Sequence, residues 1–179
     1  MRLEAPHGSK TRPTSDRVKE ALFSILDSAE MLAEKRVLDL FAGTGALGIE
    51  ALSRGALSAV FVENSRTVAA IIKKNLEHSG LYAQSQVVVA DAYKSLERFV
   101  RDDVSFDLIF LDPPYKADQY IICMELISSK ILNRGGVLVV ELSAKDLLPA
   151  SLGELVRYDR RSYGDTALEF FRHGETDVP

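Results

Sequence analysis

Cysteine is almost missing from this chain: Cys123 stands alone among 179 residues. A single thiol closes no internal disulfide, and without a Cys pair the common zinc patterns drop out. His7, His78 and His173 lie far apart with no ligand spacing, so no metal site is expected. No apolar run approaches the roughly 18 to 20 residues of a membrane helix. The opening MRLEAPHGSK lacks the apolar stretch of a secretory signal. These absences point to a cytoplasmic protein with no membrane partner. No internal repeat, low-complexity tract or linker interrupts the chain, so residues 1–179 read as one domain. Residues 1–30 form an N-terminal extension and helix, 36–173 a core, and 174–179 a loose tail.

Positive charge is also in deficit. The net charge is −4, which alone argues mildly against a nucleic-acid binder. Its distribution tells more. Arg2, Lys10, Arg12, Arg17 and Lys19 crowd the first 19 residues against Glu4 and Asp16. Arg157, Arg160 and Arg161 form a second basic group, so a local positive face can exist on an acidic protein. A solvated strand face reads that second group at least as well as RNA contact does.

What the chain does have is alternation. TSDRVKEALFSIL reads as a helix that Thr14 or Ser15 can cap, with Val18, Ala21, Leu22, Ile25 and Leu26 on one stripe. Strand-like and helix-like segments then take turns: strands over 36–42, 58–63, 85–91, 106–112 and 135–143, and helices over 46–55, 65–80, 92–100 and 118–131. Strands apolar on both faces and spaced by helices predict a mostly parallel sheet covered on both sides, an α/β Rossmann-like fold. ELVRYDRRSYG and DTALEFFRH predict an antiparallel C-terminal pair around Gly164-Asp165. In such a sheet ligands sit beyond the carboxyl ends of the strands, where strand order reverses.

The first strand ends in DLFAGTGALG, where Gly43, Gly45 and Gly48 satisfy G-x-G-x-x-G. Glycines there can also serve only a tight turn and close helix packing. Asp39 helps decide, because a carboxylate so near the turn serves a pyrophosphate poorly and an ammonium or sulfonium well. No Lys follows in P-loop fashion. The cationic methionine end of S-adenosylmethionine therefore fits better than a dinucleotide. Glu63 closes the second strand and can accept from both ribose hydroxyls. Asp91 closes the third and can accept from an adenine amine, with the Ala92 N–H on a ring nitrogen. Phe41, Ala42, Thr44 and Asn64 flank these positions and join the cofactor candidates.

The fourth strand runs into Asp112, Pro113, Pro114 and Tyr115. An ionised carboxylate only accepts hydrogen bonds, and prolines fix φ and hold their carbonyls in one direction. An amine could donate one hydrogen to Asp112 and one to the Pro113 carbonyl, with the Tyr115 ring on the base's flat face. Acceptors around an exocyclic nucleobase amine favour the charge that grows on nitrogen as it attacks a methyl group. A base must leave its stack to enter such a pocket.

Here the chain resembles the class I methyltransferases, and more narrowly the bacterial 16S ribosomal RNA guanine-N2 methyltransferases. The resemblance rests on RPTSDRVKEALF, DLFAGTGALGIEALSRGA, DPPY and YGDTALE. It implies a seven-stranded sheet, S-adenosylmethionine as donor, and ribosomal RNA of the small subunit as partner, partly or fully assembled. By that likeness Asp39, Gly43, Gly45, Glu63 and Asp91 contact the cofactor, and Asp112 to Tyr115 hold the base. RPTSDRV resembles the segment over the active site, with Thr14, Asp16 and Arg17 near the cofactor's amino-acid group. Lys10, Arg12 and Lys116 are the candidates for RNA phosphates. One departure from the pattern is that family members begin with a longer stretch of strand and basic residues. Two other functions share the same chemistry or surface: an adenine-N6 DNA methyltransferase, and a non-catalytic RNA-binding assembly factor.

Overall fold

In the computed structural model, residues 13–113 and 117–174 are described. The alternation resolves into helix α1 (Pro13–Ser28), strand β1 (Arg36–Asp39), α2 (Ala46–Ser53), β2 (Ser58–Glu63), α3 (Arg66–Ser79), β3 (Ser85–Val89), α4 (Ala92–Arg101), β4 (Phe106–Leu111), α5 (Ala117–Leu126), β5 (Leu132–Ser143), β6 (Ser151–Leu152), β7 (Leu155–Tyr163) and β8 (Thr166–His173). The sheet order is β3-β2-β1-β4-β5-β8-β7-β6. Strands β1 to β5 pair in parallel, and β5, β8, β7 and β6 pair antiparallel. All seven expected strands are present. The sheet has eight because Gly153, at φ +57°, turns Ser151–Leu152 back onto Leu155–Val156.

The sheet separates two apolar layers. Val18, Leu22, Phe23 and Leu26 of α1 pack with Ile49, Leu52, Ile72 and Leu76 on one face, over Val37, Phe110, Val139 and Leu168. Leu96, Phe99, Tyr120, Cys123, Met124 and Ile127 cover the other face, over Leu38, Ile109, Val140 and Phe171. Cys123 and Met124 of α5 thus lie in this second layer. Burial pushes the Cys123 thiol up to about 11, which keeps it protonated and inert.

Some element ends move. Helix α1 starts at Pro13, so Thr14 and Ser15 lie in its first turn rather than capping it; proline suits a first turn because its missing N–H has no partner there anyway. Phe23, off the predicted stripe, is fully buried and sits 5.9 Å from the Phe110 ring. Strand β5 starts three residues earlier than its apolar run, at Leu132, because Phe106 pairs with Leu132 ahead of a bulge.

The third glycine of the turn motif is there for packing. A Cβ on Gly48 would lie 2.7 Å from Phe61 Cζ and nearer still to Cε1, inside the core between α2 and β2. Gly48→Ala is expected to lose about 1–3 kcal/mol, the usual cost of overpacking. A urea unfolding curve with unchanged slope and a lower midpoint checks this.

Candidate active site

Strand order reverses between β1 and β4, since the chain winds outward through β2 and β3 and then returns to β4 and β5. Asp39 ends β1, Glu63 ends β2, Asp91 lies two residues past β3, and Asp112 lies one past β4. Parallel pairing puts all four carboxylates at the same edge of the sheet. The reversal makes that edge a crevice.

Asp39 is buried, and its Oδ2 accepts the Gly48 N–H at 3.0 Å. The carboxylate therefore helps hold the first turn of α2 against β1. Burial pushes its pKa up to about 7; the Gly48 amide opposes this and the Glu63 charge adds to it. A cation above this group would relieve its desolvation, so the site favours positive charge.

Glu63 is half-buried. Its Oε2 accepts from Gly43 N–H at 3.1 Å and its Oε1 from Ser65 N–H at 2.8 Å. Each oxygen keeps a second lone-pair direction for a ribose hydroxyl. Gly43 has φ +52°, and a Cβ there would meet nothing within 4 Å. The turn is thus open on the side from which a ligand approaches. Gly45 sits at φ +78° before α2, with its N–H on the Ala42 carbonyl at 2.7 Å. Ala42 is buried and its N–H bonds to Val62 O, while the Thr44 carbonyl accepts from Asn75 Nδ2 at 3.1 Å. Phe41 is half-buried against the second apolar layer, and Asn64 is exposed just after β2. Asp91 caps α4 by accepting the Lys94 N–H on Oδ1. Ala92 opens that helix, where its N–H has no intrahelical partner. The donor and acceptor set fits a ribose, an adenine and a cationic amino-acid end.

Asp112 and Pro113 follow β4 directly. Asp112 is exposed by area, yet it lines a small recess with Leu22, Leu47, Phe110, Leu111, Val139, Glu141 and Leu168. The residue is open on one side and walled on the other. Desolvation by that wall, then the charges of Glu141 and Asp39, push its carboxyl up to about 7. Burial likewise pushes Glu141 up. Tyr120, whose hydroxyl donates to the Glu141 carbonyl at 3.0 Å, rises to about 12 through burial first and then the charges of Asp112, Asp146 and Glu141. Sequence reasoning gave no role to Glu141. A carboxylate closing the apolar run of the strand after Asp112's was the available signal, but only the sheet order shows that those strands are neighbours.

Pro114, Tyr115, Lys116, Lys10 and Arg12 lie outside the described residues, and so does the side chain of Thr14. Arg17 is exposed on α1. Arg157 and Arg160 do not form a free basic face. Their Nη1 atoms reach the fully buried Glu169 at 3.1 and 2.6 Å. Arg161 pairs with Asp159 at 2.9 Å. Among the described residues no cluster of His, Cys, Asp and Glu could hold a metal, and no helix is long and apolar enough to cross a membrane.

A parallel β3-β2-β1-β4-β5 ladder followed by an antiparallel pair, with an open glycine turn after β1, defines a class I methyltransferase, the class that takes S-adenosylmethionine as methyl donor. Comparison with known proteins agrees. The chain is 39% identical over 182 residues to the ribosomal RNA small subunit methyltransferase D of Escherichia coli (strain K12), covering 99% of this chain and 88% of that protein. It is 37% identical over 171 residues to a provisionally named rRNA methyltransferase of Bacillus subtilis (strain 168), covering 95% and 92%. A solved structure of a provisionally named Escherichia coli methyltransferase superposes with a TM-score of 0.82 at 27% identity, covering 97% of this chain and 92% of that one. The family described as Conserved hypothetical protein 95 matches residues 1–172, and the chain belongs to this rRNA methyltransferase family.

Proposed function

We propose that the protein transfers a methyl group from S-adenosylmethionine to the exocyclic N2 amine of a guanine in 16S ribosomal RNA, in the cytoplasm, on a small subunit that is partly or fully assembled. The observation that carries this reading is Asp112 at the end of β4, on the crevice beside the open glycine turn. The relatives named as small-subunit RNA methyltransferases support the RNA class.

Glu63 and the Gly43 turn would hold the ribose, Asp91 and Ala92 the adenine, and Asp39 would favour the cationic end from beneath. When bound, the cofactor supplies an electrophilic methyl group on a sulfonium. Asp112 accepts a hydrogen from the N2 amine and so fixes that nitrogen in place. Its charge favours the positive charge that develops on nitrogen. With a pKa near 7 it can also take the proton that N2 sheds. The acidic net charge leaves few cations for phosphates, which favours a particle whose own proteins supply docking surface.

The test uses S-adenosylmethionine labelled in its methyl group, with bare 16S RNA and with small-subunit particles. Digestion to nucleosides is expected to place the label in N2-methylguanosine, with particles the better substrate. Label found only in N6-methyladenosine, or in DNA rather than RNA, overturns the reading.

A further inference from the structure

Glu141 sits where a carboxylate is costly. Strand β5 pairs with β4 in the register Leu111 to Val140, and one more residue along sets Glu141 beside Asp112. Side chains alternate across a strand: Val139 lies in the layer of α1, while Val140 and Leu142 lie in the other. Glu141 therefore faces the same side as Val139, and it lines the recess together with Phe110, Asp112 and Leu168. Its side chain accepts no hydrogen bond from a described residue; its backbone pairs with Leu168 of β8, and its carbonyl accepts from Tyr120. Like charges opposite each other on neighbouring strands are destabilising. A half-buried carboxylate with no partner among the described residues and a like-charged neighbour is a site residue in search of donors.

The two edges that a flipped base can offer differ in a way this pair reads. Guanine presents N1–H and the N2 amine side by side, both donors. Adenine presents its N6 amine beside N1, a bare acceptor that a carboxylate repels. Neighbouring strands lie roughly 4.8 Å apart, so two acceptors converge on two adjacent donors.

We propose that Glu141 selects guanine by accepting its N1–H while Asp112 accepts from N2, so that the two carboxylates on neighbouring strands together read a donor–donor edge. The inference rests on the guanine-N2 reading above and deepens it.

The experiment first maps the methylated guanosine, then rebuilds the small-subunit RNA by splinted ligation with 2-aminopurine or 6-thioguanine at that position. 2-Aminopurine keeps the N2 amine but turns N1 into an acceptor; 6-thioguanine keeps N1–H and weakens only the O6 position. Wild-type protein is expected to discriminate against 2-aminopurine by about 100-fold or more in kcat/KM, as sites built to bond a lost hydrogen do, and to use 6-thioguanine within about tenfold of guanine. Glu141→Gln can turn its amide NH2 toward N1. It is expected to bring the guanine to 2-aminopurine ratio close to one, with cofactor affinity unchanged and a melting temperature no lower than the wild type's, since a like charge beside Asp112 is removed. Glu141→Ala is expected to be slow on both bases. Equal use of guanine and 2-aminopurine by the wild type overturns the inference without needing any variant, and so does a Gln variant that keeps the wild-type ratio. A wild-type product other than N2-methylguanosine overturns the guanine reading itself, and the inference with it.

Discussion

Asp112→Ala is expected to lose methyl transfer by about 100- to 1,000-fold while cofactor affinity stays within a few-fold. The magnitude is that of removing one preorganised polar group aimed at developing charge. The split between chemistry and binding follows from position. Asp112 ends β4, whereas the open glycine turn and Glu63 belong to β1 and β2. Single-turnover rates and calorimetric titration with the cofactor measure the two halves separately. An Ala variant with a near-normal rate would remove Asp112 from the reaction.

Acidity makes the same prediction in another form. The Asp112 carboxyl is pushed up to about 7, by burial first and then by the neighbouring acids. Only the ionised form offers a negative charge to the developing positive nitrogen and can take its proton. The kcat/KM profile, which reports the free enzyme, is therefore expected to rise with pH through about 7 and then level. Asp39, also raised to about 7, titrates in the same window and is expected to broaden the rise. The stability sign is opposite. A carboxyl whose folded pKa lies above its unfolded value of about 3.9 contributes stability that is fully present below that value and is lost as pH rises through about 7. Asp39→Asn is therefore expected to melt higher than the wild type above pH 7 and to differ less at pH 5.

The candidate site is legible wherever a carboxylate follows an apolar run. Asp39, Glu63, Asp91 and Asp112 each follow such a run, and strand ends are where a parallel sheet binds ligands. Glu141 also follows such a run, but its meaning comes from the carboxylate beside it, which no local pattern shows. Strand neighbours in a crossover sheet are set by packing between distant segments. The arginines were a different kind of miss. The turn at Gly164-Asp165 was expected from the sequence, and it starts a ladder at Tyr163 and Thr166 that runs back to Arg160 opposite Glu169. That pair could have been counted off. A bulge between Arg157 and Asp159 then shifts the register, and no local pattern marks it. Even so, Arg157 reaches the second oxygen of the same carboxylate.

Glu169→Ala is the substitution expected to cost the most stability. Glu169 lies on β8 with no exposed surface, opposite Val140 of β5 and Arg160 of β7. Its Oε1 accepts from Arg160 at 2.6 Å and its Oε2 from Arg157 at 3.1 Å. The same guanidinium groups hold the segment after β5: Arg160 donates to the carbonyls of Ala144 and Asp146 at 3.0 Å each, and Arg157 to that of Leu148 at 2.9 Å. Removing the carboxylate leaves two cations without their counter-ion and a void in the sheet. Breaking a buried pair from one side costs about 3–5 kcal/mol. Arg157 and Arg160 keep 18% and 24% of their side-chain surface in solvent, so partial rehydration puts the expected loss near the lower end, about 3 kcal/mol. Arg161→Ala is the control. Its pair with Asp159 is exposed, and such pairs contribute about 0–1 kcal/mol. Urea unfolding of the two variants, read for midpoint and slope, separates a buried triad from a surface contact. If Glu169→Ala unfolds within about 1 kcal/mol of the wild type, the two arginines are held by the carbonyls alone and the carboxylate is dispensable.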